Sequence, residues 1–224
     1  MLLRRKRALS WVVLTALLAF TSLGAWAFKE FVMPKPGNAA TYPSKDSHPN
    51  EKVTAAVDLY NTSPKDDIFS THYVQEGVLP VLLIITNSGD QPISLANMQV
   101  QMVTGSRSKL DALDVEDVFR RVAHIKASST NPGRIGPLPV PGGGVKNKKA
   151  QEQYQEITNA HFAARLVEPR ATHSGFLFFD IEGLKNPIAG SHIYLTGISD
   201  NRGSELMYFE IPLMPSSAAN PGAE

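Results

Sequence analysis

The sequence predicts a mainly β fold: an antiparallel β-sandwich with a two-helix insertion, preceded by an N-terminal hydrophobic helix. Three observations carry this expectation. Apolar runs of strand length recur between strong turn signals, as where Val78–Thr86 runs into Asn87-Ser88-Gly89-Asp90-Gln91-Pro92. Strands and helices do not alternate, so no doubly wound parallel sheet is expected. Helical periodicity is confined to an insertion at about 110–163.

Residues 1–28 come first. Arg4, Arg5, Lys6 and Arg7 form a positive block, and the run from Ala8 to Phe28 carries no charge. Such a block stays on the cytoplasmic side, so the rest of the chain is expected across the membrane. Two readings stay open. Ala25-Trp26-Ala27 offers the A-x-A cleavage pattern of a signal peptide. Alternatively, the stretch 8–28 stays helical as an anchor, long enough at about 1.5 Å per residue to span a ~30 Å hydrocarbon layer. Cleavage after Ala27 removes four basic residues and no acidic one, and takes the net charge from +1 to about −3.

Residues 29–50 read as a flexible linker. Pro34, Pro36, Gly37, Pro43 and Pro49 are separated by small polar residues, and nothing there is periodic. About 18 flexible residues give a root-mean-square reach of roughly 20–25 Å. The body is expected over 51–213, followed by a disordered tail over 214–224.

Within the body, Lys52–Tyr60 places Val53, Ala55, Val57 and Leu59 on one strand face. The run Val78–Thr86 is dense in branched residues and short, which favours a buried strand over a helix. Ile93–Val103 resumes with Met98, Val100 and Met102 in alternation, and Gly175–Ile181 reads GFLFFDI. Ser191–Ile198 and Glu205–Leu213 flank a turn at Ser199–Gly203, where Gly203 supplies the left-handed backbone of a hairpin. Asp114 is placed to cap a helix from Val115 to His124, with Val115, Val118, Phe119 and Val122 on one face. A second helix is expected from Lys148 to about Ala163, with Ala150, Tyr154, Ile157 and His161 as its inner stripe. Between them lies a Pro- and Gly-rich loop, Ser128–Asn147. The insertion is expected across one edge or end of the sandwich.

Two segments, LPVLLIITNSGDQPISL (Leu79–Leu95) and EPRATHSGFLFFDI (Glu168–Ile181), together with the final hairpin to Leu213, resemble exported bacterial immunoglobulin-like domains of the telokin-like kind. The resemblance rests on strand-and-turn grammar. It implies an immunoglobulin-like sandwich and a non-catalytic envelope or accessory role. Fold alone does not fix function.

Composition narrows the chemistry. The 224 residues include 22 basic and 21 acidic ones, which offers no electrostatic footprint for nucleic acid. Cysteine is absent, which removes disulfides, thiolate metal sites and cysteine nucleophiles. His48, His72, His124, His161, His173 and His192 are scattered, with no H-x-x-x-H pair, so no metal site and no cofactor is expected. His161 reads as a half-buried packing residue. Gly190-Ser191-His192 has the residue types of a nucleophile and base, but neighbours on a strand point to opposite faces. Asp66-Asp67 read as solvated, and Asp180 and Glu182 share one face near a strand end. Gly142-Gly143-Gly144-Val145-Lys146 lacks the spacing of a phosphate loop. Lys146, Lys148 and Lys149 form a small basic patch that suits anionic headgroups if the body lies near a membrane.

Phe176, Phe178 and Phe179 are the candidate interface residues. Alternation sends Phe178 and Phe179 to opposite faces, so one leaves the sandwich interior. It is either covered by the insertion or exposed to a partner. No catalytic residues are assigned. The expected function is protein–protein contact by an exported domain on the outer side of the cytoplasmic membrane, soluble after cleavage or anchored by residues 8–28. Its partner is another envelope protein. Two alternatives remain: a hydrolase with a site between the sandwich and the 128–147 loop, and a glycan or small-ligand binder with surface aromatics flanked by amides.

Overall fold

The structure, a computed structural model, describes residues 31–124 and 145–214. The leader 1–28, most of the 128–147 loop and all but the first residue of the 214–224 tail lie outside those residues. Among the described residues, no helix is long and apolar enough to cross a membrane.

The described chain is mainly β, with antiparallel sheets and two helices. One sheet orders β1 (Lys45–His48), β2 (Val53–Leu59), β3 (Val78–Asn87) and β8 (Thr172–Asp180) side by side. The other orders β10 (Phe209–Pro212), β9 (His192–Thr196), β5 (Gln99–Val103) and β6 (Lys109–Asp111). A short pair joins β4 (Ile93–Ser94) to β7 (Leu166–Val167). The helices are α1 (Val115–Val122) and α2 (Val145–Ala160).

Alternation along the strands builds two apolar layers. Val53, Ala55, Val57 and Leu59 of β2 meet Leu79, Val81, Leu83 and Ile85 of β3 in one cluster. Met102, Ile193, Leu195, Phe209 and Ile211 enter that cluster from the second sheet, so it fills the space between the two sheets. The opposite side chains of β3, Val78, Leu82 and Ile84, form a second cluster with Val118, Phe119 and Val122 of α1 and Ile157 and Ala160 of α2. Every residue of β3 is therefore buried, which is why its sequence runs apolar without alternation. Pro80 is tolerated in this central strand because β2 stops beside it. The pairing ends at Leu59↔Val81, and Tyr60 N–H donates to the Pro80 carbonyl at 3.1 Å.

The local signals act as the residue types require. Asp114 caps α1, its carboxylate accepting from Asp117 N–H at 2.7 Å. Asn87 closes the turn after β3 by accepting from Gly89 N–H at 2.9 Å. Gly203 adopts φ +83°, and Asp200 accepts from the N–H groups of Arg202 and Ser204 around it. Gly175 has a different reason to be glycine. A Cβ there would stand 2.3 Å from the Phe162 Cα, because the chain after α2 runs hard against β8. Phe162 N–H donates to the Phe176 carbonyl and Leu113 N–H to the Phe178 carbonyl, which covers the free edge of β8.

Four expectations are corrected. The stretch 31–49 does not behave as a linker. Phe31 stacks on Phe69 at 5.4 Å, Ala39 is fully buried and donates its N–H to Thr86 Oγ1, and Lys45–His48 pairs with β2 as β1. The expected strand Ile93–Val103 is split, with β4 turning away to pair with β7. The helices lie across the outer face of the first sheet, not at an edge or end, because that face is apolar and must be covered. The second helix ends at Ala160, where the chain straightens to bond β8.

Candidate functional site

The three interface candidates are all fully buried, so the expectation of an exposed phenylalanine patch is corrected. Phe179 points into the cluster between the sheets. Phe176 and Phe178 point the other way, beneath the helices. Phe176 meets Tyr60 at 4.8 Å and Phe69 at 4.9 Å, both edge to face, and Phe178 meets Tyr73 at 5.1 Å. These rings anchor the insertion to the first sheet.

The outer face of the second sheet is different. Alternation buries Ile193 and Leu195 of β9 and turns His192, Tyr194 and Thr196 outward. Gln101 of β5 and Glu210 of β10 are the direct cross-strand neighbours of Tyr194, one on each side. Among the described residues, no helix packs on this face. Tyr208 is 54% exposed and Met207 67% exposed just before β10. The Tyr194 and Tyr208 rings lie 6.3 Å apart with a 31° tilt, and the His192 ring lies 6.5 Å from Tyr194. Tyr194 donates its hydroxyl to Glu210 Oε1 at 2.6 Å, and that bond to a carboxylate holds the phenol above its usual range. The Gln101 amide donates to Asp111 Oδ1 at 2.9 Å. The result is a tyrosine platform flanked by an amide and two carboxylates.

Asp46 and His48, from the stretch expected to be a linker, and Glu51 just after it hold that platform in place. Asp46 accepts from Glu210 N–H at 2.9 Å, and Glu51 accepts from Met207 N–H at 3.0 Å. His48 sits between these carboxylates, 2.9 Å from Glu51 Oε2 and 3.4 Å from Asp46 Oδ2, with its ring stacked on Phe209 at 4.0 Å. The cluster seams β1 to β10 where the two sheets meet at one edge. Sequence reasoning missed it because its residues fall among prolines and lack an apolar period.

Other sequence candidates disperse. Ser191 is buried, donates to the Pro187 carbonyl at 2.7 Å and accepts from Gly105 N–H, while His192 faces outward. Asp180 and Glu182 do come together: both bind the Arg121 guanidinium, Glu182 at 2.6 Å. Glu182 and Arg121, with His124 and Glu76, 3.5 Å apart, line an open cleft of about 760 Å³ at the end of α1. Its charges are matched pair by pair. His161 is half-buried, and burial holds its imidazole below the usual histidine range. His173 bonds Glu168 at 2.6 Å on the surface. Among the described residues, no group of three or more histidine or carboxylate side chains is placed to hold a metal.

No family model and no curated protein matches this chain. Among solved structures, the chain is similar to MPT63, a secreted protein from Mycobacterium tuberculosis, with 12% identity over 80% of this chain and 98% of that one and a TM-score of 0.32. It is also similar to a conserved hypothetical protein from Bacillus anthracis, with 12% identity over 75% of this chain and 96% of that one and a TM-score of 0.30.

Proposed function

We propose that this chain is an exported, non-catalytic domain that docks another envelope protein on the outer face of its second sheet. The observation that carries the reading is an asymmetry between two faces. Helices seal the outer face of the first sheet, whereas the second turns the half-buried Tyr194 outward beside exposed Tyr208 and Met207. Exposed tyrosine and methionine are the residue types enriched in protein interfaces. Export rests on the positive block Arg4–Arg7 and the uncharged run that follows it. The strand orders β1-β2-β3-β8 and β10-β9-β5-β6 support an immunoglobulin-like arrangement. In it, β2 and β3 stand centrally in one sheet and β9 and β5 in the other.

A photo-crosslinking residue at Met207, compared with one at Thr158 on the exposed side of α2, tests this in the native cell. A discrete adduct from position 207 that is lost in the Y194A/Y208A variant is the expected outcome. Equal adducts from both positions, or none, would reject the docking face. A second reading is favoured by the Gln101 amide beside the tyrosines, since outward phenol rings flanked by amides suit sugar rings. Envelope glycans that change the tyrosine emission of the isolated body and block the crosslink would move the assignment to glycan binding.

A further inference from the structure

The chain enters the folded body almost at once. The uncharged run ends at Phe28, and Phe31 already packs, stacked on Phe69 at 5.4 Å and edge-on to Phe176 at 6.3 Å. Three residue steps separate Phe28 from Phe31, a span of at most about 10 Å even fully extended. A retained leader therefore has no flexible joint of the kind a 22-residue linker would supply. The body must lie against the bilayer that holds the leader.

The structure also fixes which side lies there. Phe31 belongs to the apolar layer between the first sheet and the helices. Val32, at the point of entry, is 72% exposed, an apolar side chain that only a further surface would cover. Lys35 on the entering chain and Lys149 on α2 are exposed, and suit anionic headgroups. Lys148 is also exposed but lies 3.7 Å from Glu152, so charge contributes little and the short tether does the holding. The tyrosine platform lies on the opposite side, with both sheets between.

We propose that the domain rests on a lipid surface through the side bearing Val32 and α2, and so directs the second-sheet face away from the membrane. This rests on the export reading above, with the leader kept as an anchor. The chain has no cysteine, so single-cysteine labels report without background. Full-length protein is reconstituted into phosphatidylcholine–phosphatidylglycerol vesicles containing a quencher in the bilayer, with a fluorophore on V32C, Q155C or T196C. Thr196 lies beyond two layers about 10 Å apart, so quenching at V32C should exceed that at T196C about threefold or more, with Q155C between them. Equal quenching at Gln155 and Thr196, or stronger quenching at Thr196, overturns the proposal. In a variant with ten Gly/Ser residues inserted after Glu30, with a reach of about 17 Å, the difference should vanish. If the difference persists, the tether is not its cause and the proposal falls. The anchor is checked separately. Both tryptophans, Trp11 and Trp26, lie in the leader, so tryptophan emission from protein isolated from its own membrane reports retention. Absence of that emission removes the anchor and the proposal together; emission with flat quenching removes the proposal alone.

Discussion

Glu156 is buried on α2, and its carboxylate accepts from Ser70 N–H at 2.7 Å and from the Tyr73 hydroxyl at 2.9 Å. A buried carboxylate persists only where donors replace its water. Here the donors come from the segment that precedes β3, so Glu156 ties that segment to the helix. E156A leaves both donors without a partner and should cost about 2–4 kcal/mol, whereas E156Q retains an acceptor and should cost less. Urea denaturation of the two variants measures the difference. Tyr60 shows the reverse case, a group kept neutral. Burial above all, with Asp58 nearby, pushes its phenol up to about 12 from 10.0. The unfolded phenol ionises first as pH rises, so the stability linked to Tyr60 is intact below pH 10 and is lost between pH 10 and about 12. Y60F should flatten the fall of the urea midpoint across that window. An unchanged fall would place the alkaline transition elsewhere.

At the scale of elements, α1 shows how a short helix is made to stay. Eight residues are too few to be stable alone in water. The Asp114 cap fixes its start, and Val118, Phe119 and Val122 bury its inner face over the first sheet. D114A should therefore cost about 1 kcal/mol without changing the fold, read as a small drop in denaturation midpoint with unaltered circular dichroism. The cap and the spacing of those apolar residues were legible in the sequence, as were β2, β3 and β8. In α1 and β2 the period of the pattern is the period of the element, whereas β3 and β8 show as short apolar runs bounded by turn residues or glycine. What the helices cover was not legible, because FLFF at 176–179 is apolar to both sides and periodicity does not name the cover. β1 was illegible for another reason. Lys45–His48 has no apolar face, and it becomes a strand only because β2 offers a free edge and His48 finds the Phe209 ring. The outward tyrosines were half legible: alternation in His192–Thr196 separates Tyr194 from Ile193 and Leu195, but the exposure of that face depends on where the helices went.

For the whole molecule, the decisive question is where the domain begins. Prolines at 34, 36 and 43 suggest a spacer, yet they hold an extended chain along the body. Phe31, Met33 and Tyr42 pack on the helix-side cluster, and Ala39 is buried within it with its N–H on Thr86. Removing them uncovers Phe69 and Phe176, whose burial holds the helix layer to the first sheet. Two truncated chains separate the alternatives. One that starts at residue 29 keeps the whole apolar layer; one that starts at residue 43 keeps β1 but loses these four side chains. Their combined burial is worth about 3–5 kcal/mol at the usual area coefficient. For a body of this size, each kcal/mol moves the melting temperature by roughly 2–4 °C, so the shorter chain should melt about 10 °C lower. A spacer would give two chains that melt together. Because the shorter chain retains every strand, a loss confined to melting temperature, with the strand signal in circular dichroism intact, would place the deficit in the layer beneath the helices. That is the layer through which a retained leader would hold the domain.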